Sequence, residues 1–144
     1  KERNPQVQVV LTVSPIRYAK YGFVASGLSK ATLLLATHRL LGLHPDCTSY
    51  FPAYELMNDE LRDYRFYAND MVHPSEMAID YIWERLVATY IETATQADMK
   101  QVDSIQKGLS HRPFNPETES HQQFLAQLQQ KMEAFTMKYP HIRF

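Results

Sequence analysis

A nearly continuous apolar run close to the N-terminus constrains the fold of this chain more than any other feature. Residues 7–13, VQVVLTV, are rich in β-branched side chains, and Ser14 and Pro15 end the run. A half-exposed strand would alternate apolar and polar residues, whereas a strand covered on both faces is apolar almost throughout. The run therefore predicts a buried strand of a parallel sheet.

A helix and a second strand are predicted next. Ser29 suits a helix N-cap and Gly42 a helix C-terminus, which indicates a helix of about a dozen residues. Apolar side chains surround most of it, so we expect this helix to be buried between the sheet and another layer. Residues 49–51 resemble a short strand ended by Pro52. Strand, helix and strand in this order predict a right-handed βαβ unit with parallel strands.

The segments around this unit are less regular. Residues 16–28 contain two glycines and no sustained period, which predicts a long loop of the kind that often carries function. Residues 53–67 mix charged and aromatic side chains, and we expect irregular structure with one helical turn there.

The remainder of the chain is predicted to be helical. One apolar stripe at helical spacing consists of Ile79, Ile82, Trp83, Leu86 and Tyr90. A shorter helix carries Val102, Ile105 and Leu109, and two prolines, Pro113 and Pro116, break the pattern after it. The last long helix carries Phe124, Leu128, Met132, Phe135 and Tyr139 and stops at Pro140.

These elements define an α/β fold class that is helix-rich overall, with a βαβα unit followed by C-terminal helices. We predict one α/β domain over residues 1–110 and a loop and helical extension over residues 111–144. Two parallel strands are fewer than a stable parallel sheet normally has. We therefore expect the chain to be part of a larger domain and its uncovered apolar surfaces to favour self-association.

Composition limits the classes of partner. The 15 basic and 16 acidic residues give a net charge of -1, which argues against nucleic-acid binding. No apolar run approaches the roughly 18 residues of a membrane-spanning helix, so no membrane partner is expected. The start, KERNPQ, lacks the apolar core of a signal peptide, and we prefer a cytoplasmic location. Cys47 is the only cysteine, which excludes an internal disulfide and predicts a small buried hydrophobe.

The stretch NDMVHPSE, residues 69–76, is the strongest candidate for chemistry. It follows the second predicted strand, and ligand sites of open α/β sheets lie beyond the carboxyl ends of strands. Asp70 can hold the Nδ1–H of His73 and leave Nε2 free to act as a general base. The alternative is structural: Pro74 suits a first helical position and Glu76 a first turn, so the stretch can simply begin a helix.

Other candidate residues have structural explanations beside the functional ones. Ser14 lacks the flanking glycines of a nucleophile elbow. Arg17 and Lys20 can meet an anionic group or remain solvated. Three aromatic residues can line a pocket or pack on the sheet edge: Tyr64, Phe66 and Tyr67. No cofactor motif is present, and no metal site is predicted, because none of five other histidines shows ligand spacing with His73: His38, His44, His111, His121 and His141.

Four runs carry a more specific resemblance. They are LTVSPIR, SKATLLLA, YFPAYELMNDELRDYRFYANDMVHPSEMAIDYIWERL and HRPFNPE. In the same order and at similar spacing, they closely resemble the C-terminal portion of the GSCFA domain family, over residues 9–114. That family is similar to the SGNH (GDSL-like) hydrolases, whose fold is a flavodoxin-like parallel sheet between helices.

The resemblance implies roles for the opening candidates. The run DMVHPS matches the Asp-x-x-His block of SGNH enzymes, which makes His73 the catalytic base and Asp70 its partner. It also implies a serine nucleophile that acts on esters, with oxyanion-hole donors on other strand ends. The substrate would be an ester, either an acylated small molecule or an acylated carbohydrate.

The Gly-Ser-Cys-Phe-Ala motif that names the family does not occur in this sequence. We therefore expect the nucleophile to lie upstream and the chain to be a C-terminal fragment, inactive by itself, of a serine ester hydrolase. The competing hypothesis is a non-catalytic binding or interaction module on the same scaffold.

Overall fold

The computed structural model describes residues 2–144 and combines a small parallel sheet with helices. In the described residues there are two strands and five α-helices. In chain order they are β1 (Val9–Leu11), α1 (Gly22–Leu43), β2 (Thr48–Tyr50), α2 (Ala53–Glu55), α3 (Glu76–Tyr90), α4 (Thr93–Ser110) and α5 (Glu119–Lys138). The contacts divide the chain into two compact units, one ending at Thr89 and the other spanning Tyr90–Phe144. The content is that of a helix-rich α/β chain.

The predicted strand–helix–strand order and the parallel pairing are confirmed. Val9 lies opposite Thr48 and Leu11 opposite Tyr50. The N–H of Phe51, the residue after β2, donates to the carbonyl of Leu11 at 2.8 Å. Because the strands are parallel, the segments that follow β1 and β2 leave the sheet at the same edge.

Strand β1 is shorter and more exposed than the sequence predicted. It comprises three residues of the seven-residue run, and Val10 is 46% exposed. Within residues 2–144 β1 pairs with β2 alone, so one edge of β1 has no neighbouring strand. The prediction that β1 is covered on both faces is therefore wrong for the described chain.

Helix α1 begins at Gly22, seven residues before the predicted N-cap Ser29. The predicted loop over residues 16–28 is accordingly wrong in its second half. Gly22 has φ 84°, a conformation in which a glycine lets the chain turn from a 3-10 turn, Ala19–Tyr21, into the helix. Ser26 is buried, and its hydroxyl accepts the N–H of Tyr18 at 3.1 Å. This contact links the segment before α1 to the first turns of the helix, which the hydrophobic periodicity of the sequence did not reveal.

The expected burial of α1 is also wrong for the described residues. Its apolar side chains are distributed around the helix, yet Leu35 is 74% exposed, and only Ser26 and Thr37 are buried. One face contacts β2, where the ring centroids of His38 and Tyr50 lie 5.6 Å apart. The short sheet covers that face only.

Helix α3 forms where the apolar stripe predicted it, with its covered face rotated from the stripe. Trp83 is 51% exposed and Ile79 is exposed, whereas Ala78 is completely buried. A small side chain at position 78 lets the helix backbone approach the rest of its unit closely. The stripe marked the helix correctly and part of its covered side, since Ile82, Leu86 and Tyr90 are half-buried.

The second unit is built from α4 and α5, both predicted. Ile105, Leu128 and Phe135 form its buried cluster, and Val102, Phe124, Met132, Tyr139 and Ile142 pack against it. The break at residues 111–118 falls where the two prolines predicted it. The hydroxyl of Thr118 accepts the N–H of His121 at 3.3 Å and caps α5. Helix α4, assigned by the sequence to the first domain, packs on α5.

Candidate functional site

Residues 68–73 form a closed loop in front of α3. The N–H of Ala68 donates to the carbonyl of His73 at 2.8 Å, across the mouth of the loop. Just outside this bond, Tyr67 and Pro74 form an antiparallel bridge. The two ends of the loop are thus fixed to each other, and the loop projects as one turn.

The carboxylate of Asp70 determines the shape inside this loop. Its Oδ1 atom accepts the backbone N–H groups of Val72 and His73, both at 2.9 Å. These bonds turn the chain so tightly that Met71 adopts φ 60°, the left-handed region. The second oxygen, Oδ2, lies 2.6 Å from Nδ1 of His73. One oxygen therefore builds the loop, and the other contacts the ring.

The electrostatics of the pair fix the proton on the ring. Hydrogen bonds from the backbone N–H groups of His73 and Val72, and then from the His73 ring, lower the pKa of Asp70 to about 2. An ionised carboxylate can only accept, so Nδ1 of His73 carries the hydrogen in that contact. In the neutral ring, Nε2 is then an acceptor. The His73 side chain is 58% exposed, which leaves it accessible to a reactant.

The loop lies beside the segment that follows β1. The N–H of Arg17 in that segment donates to the carbonyl of Val72 at 3.2 Å. The segment that follows β1 and the segment that follows β2 therefore lie against each other next to His73. This is the region where open α/β sheets bind ligands.

A polar pocket of about 220 Å³ adjoins the loop. We call it the Arg17 pocket; its lining includes Arg17, Asn58, Arg62, Asp63, Tyr64 and Tyr67. The guanidinium of Arg17 lies over the ring of Tyr67, 4.4 Å from its centroid. The Tyr67 hydroxyl lies 3.4 Å from Oδ1 of Asn58. Tyr67 connects the pocket to the loop, because its bridge to Pro74 closes the loop from outside.

The other residues singled out from the sequence are distributed differently. Ser14 accepts the N–H of Ile16 at 3.2 Å, a local turn. Lys20 lies over the ring of Tyr21 at 5.7 Å, and it is not among the residues that line the Arg17 pocket. Cys47 is a half-buried free thiol. Of the cationic and aromatic candidates, the structure brings Arg17, Tyr64 and Tyr67 together.

Two pocket residues had no sequence signal that placed them there. Asn58 and Arg62 come from a π-helical turn, Leu56–Leu61, and its C-terminal cap. Arg62 has φ 42°, and its N–H donates to the carbonyl of Met57 at 3.3 Å. Turns of this type occur often at functional sites. The charged run NDELRD marks a polar segment in the sequence but not its geometry.

Two further properties concern residues 2–144 as a whole. In this part of the chain, no group of three or more His, Cys, Asp or Glu side chains is arranged to hold a metal ion. No helix there has the length and apolar character needed to span a bilayer.

Comparison with known proteins tests the resemblance to the GSCFA family that the sequence indicated. No curated protein and no solved structure matches the chain. A family model described as the GSCFA family matches residues 1–86, and one described as GSCFA domain protein, C-terminal domain, matches residues 102–144. Since the first match alone covers more than half of the 144 residues, the chain belongs to the GSCFA family.

Proposed function

We propose that this chain supplies the general base of a serine ester hydrolase of the SGNH type. His73 is the base and Asp70 orients it. The observation that carries the proposal is the 2.6 Å contact between Asp70 Oδ2 and His73 Nδ1, with the ring half exposed beyond it. The nucleophile in this proposal is a serine outside residues 1–144, in the motif that names the family.

The same proposal includes the fold of the complete domain. We place β1 and β2 in a larger flavodoxin-like parallel sheet, to which other strands of the protein add. The parallel pairing of the two strands and the exposure of Val10 at the sheet support this placement. The carboxyl edge of that sheet would then gather the serine, the oxyanion-hole donors and His73.

The proposed chemistry follows from the protonation of the pair. Nε2 of His73 removes the serine proton while the serine oxygen attacks the ester carbonyl carbon, and an oxyanion forms. The imidazolium then donates its proton to the leaving alcohol, and an acyl-enzyme remains. Water, deprotonated by the same Nε2, attacks the acyl carbon. The imidazolium then returns the proton to the serine oxygen as the acyl C–O bond breaks and the acid leaves. The ionised carboxylate of Asp70 stabilises the imidazolium during both acylation and deacylation.

Two properties of Asp70 support this role. Its low pKa keeps the carboxylate charged at every pH at which an ester hydrolase works. Its bonds to the backbone N–H groups of Val72 and His73 hold it in place before any substrate binds. The substrate in this proposal is an ester, either of an acylated small molecule or of an acylated carbohydrate.

Labelling with a serine-reactive fluorophosphonate tests the proposal on the full-length protein. We expect one labelled serine and a labelling rate that falls by about 10²–10⁴-fold in His73→Ala, the usual contribution of a general base. His44→Ala removes an exposed histidine at the end of α1 and should label normally. Ser14→Ala should also label normally.

The same experiment separates the hydrolase from a non-catalytic module. A module would show no labelled serine although circular dichroism reports a folded protein. Labelling that survives His73→Ala unchanged would overturn the assignment of the base, and labelling lost in Ser14→Ala would move the nucleophile into this chain.

A further inference from the structure

We propose that the Arg17 pocket binds an oxyanionic group, carboxylate, sulfate or phosphate, carried by the substrate beside its ester. The link to an ester rests on the proposed function. The affinity of the pocket for an oxyanion does not.

The charges of the lining favour an anion. Arg17 and Arg62 both line this pocket, and neither forms an ion pair among the described residues 2–144. The one carboxylate of the lining, Asp63, is already engaged: Arg65 donates to it from its backbone N–H at 2.9 Å and from Nη2 at 3.2 Å. The cations thus outnumber the carboxylate in a chain whose net charge is -1.

The geometry holds one guanidinium in place. The Cζ atom of Arg17 lies over the ring of Tyr67 at 4.4 Å from its centroid, a cation–π contact that restrains the guanidinium. Planar N–H groups of arginine match the spacing of carboxylate and phosphate oxygens. Tyr67 is held in turn by Asn58, whose Nδ2 donates to the carbonyl of Tyr54 at 2.8 Å.

The backbone of the second arginine of the lining is also restrained. Arg62 ends the π-helical turn in a left-handed conformation, and its N–H is bonded to Met57, which is 1% exposed. Because Met57 is buried, this bond holds the backbone of Arg62 beside the pocket that Arg62 lines. The volume of about 220 Å³ suits one small charged group rather than an extended chain.

Two residues of the pocket are bonded to the two neighbours of the proposed base, His73. Arg17 is hydrogen-bonded to Val72, and Tyr67 is bridged to Pro74. Val72 and Pro74 are the two neighbours of His73. A substrate held by its oxyanion in the pocket would therefore present its adjoining bond close to the His73 loop.

Binding is tested directly, without turnover, on the full-length protein. Inorganic phosphate, sulfate and acetate are titrated separately while the arginine Nε–H signals are followed by NMR. We expect saturable shifts in the signals of Arg17 and Arg62, and the tightest of the three ions identifies the preferred oxyanion. Arg17→Gln and Arg62→Asn should each raise the dissociation constant by about tenfold or more, because each removes a charge-assisted hydrogen bond.

The variants are chosen to keep the fold. Asparagine tolerates the left-handed φ of position 62, so Arg62→Asn removes the charge without adding strain. Lys20→Gln removes a nearby cation outside the pocket and should change the dissociation constant by less than about twofold. Absence of saturation by all three ions, or equal weakening by Lys20→Gln, would overturn the proposal.

A kinetic arm on the full-length protein connects the pocket to the ester. The ratio of kcat/KM for an ester with a neighbouring carboxylate to kcat/KM for its neutral analogue should fall about tenfold in Arg17→Gln. If oxyanions bind but no serine is labelled by fluorophosphonate, the pocket stands and the hydrolase proposal fails. If the serine is labelled but no oxyanion binds, the reverse holds.

Discussion

Nδ1 of His73 lies 2.6 Å from Oδ2 of Asp70, while Oδ1 of the same carboxylate accepts the N–H groups of Val72 and His73. One oxygen of Asp70 therefore shapes the loop, and the other orients the ring. Because the oxygens are separate, the two effects can be separated by substitution.

Asp70→Asn should keep the loop and remove the base. The side-chain oxygen can still accept both backbone N–H groups, so the amide nitrogen must face Nδ1. That nitrogen donates, which forces Nδ1 to accept and moves the ring hydrogen to Nε2. Labelling of the full-length protein by fluorophosphonate should then slow by roughly 10³–10⁴-fold, the cost of a wrong tautomer in a triad.

The ring ¹⁵N shifts of His73 report the tautomer directly. Asp103→Asn, on an exposed carboxylate of α4, makes the same change in charge and should leave both the shifts and the labelling rate unaltered. Normal labelling of Asp70→Asn with a shifted tautomer would show that the carboxylate does not orient a working base.

Acid should release the loop only at low pH. Asp70 has a pKa of about 2 in the folded chain against about 3.9 in an unfolded one, so the folded state binds fewer protons in this range. The stabilisation it provides is complete above pH of about 4 and is lost as the pH falls through about 2. The amide signals of Val72 and His73 should titrate with that low midpoint. A midpoint near 4, or an identical step in Asp70→Asn, would contradict the assignment.

Met71 should tolerate glycine better than valine. Its φ of 60° is costly for side chains that branch at Cβ, and glycine adopts it freely. We expect Met71→Val to lower the free energy of unfolding by about 1–2 kcal/mol and Met71→Gly to change it by less than about 1 kcal/mol. Chemical denaturation of the full-length protein measures both. Met77→Val makes the same replacement on an exposed helical position and should cost under about 0.7 kcal/mol, so equal losses at both sites would refute the strain.

Local patterns predicted local structure well. The apolar spacing predicted helices α4 and α5, because an apolar stripe and the helix that carries it share one period. Ile105 and Leu128 of these stripes are buried together, whereas Leu109 is exposed. The Asp70–His73 spacing likewise predicted a contact between the two side chains, since three residues of a tight turn bring them together.

Burial and the pocket could not be predicted in the same way. The start of α1 depends on a bond between Tyr18 and Ser26, and no periodicity records it. The Arg17 pocket is lined by both Arg17 and Arg62, which are 45 residues apart in the sequence. They come near each other because the segments after the parallel strands β1 and β2 leave the sheet on the same side. Apolar composition predicted covered surfaces on β1 and α1, but coverage depends on what packs there.

Gly108 should resist replacement by alanine although it lies inside α4. A Cβ built at this position would lie 2.7 Å from Cδ1 of Leu128, in the buried cluster of the second unit. The helix gains about 1 kcal/mol when glycine becomes alanine, but overpacking a core costs typically about 1–3 kcal/mol. Gly108→Ala should therefore be neutral to destabilising, by up to about 2 kcal/mol.

Gly27→Ala is the matched control in α1, where nothing lies within 4 Å of the added atom, and it should stabilise by about 0.5–1 kcal/mol. Adding Leu128→Ala should remove the penalty of Gly108→Ala in a double-mutant cycle, because the atom it meets is gone. If Gly108→Ala stabilised the chain as much as Gly27→Ala, this result would contradict the close packing of α4 on α5 at Leu128.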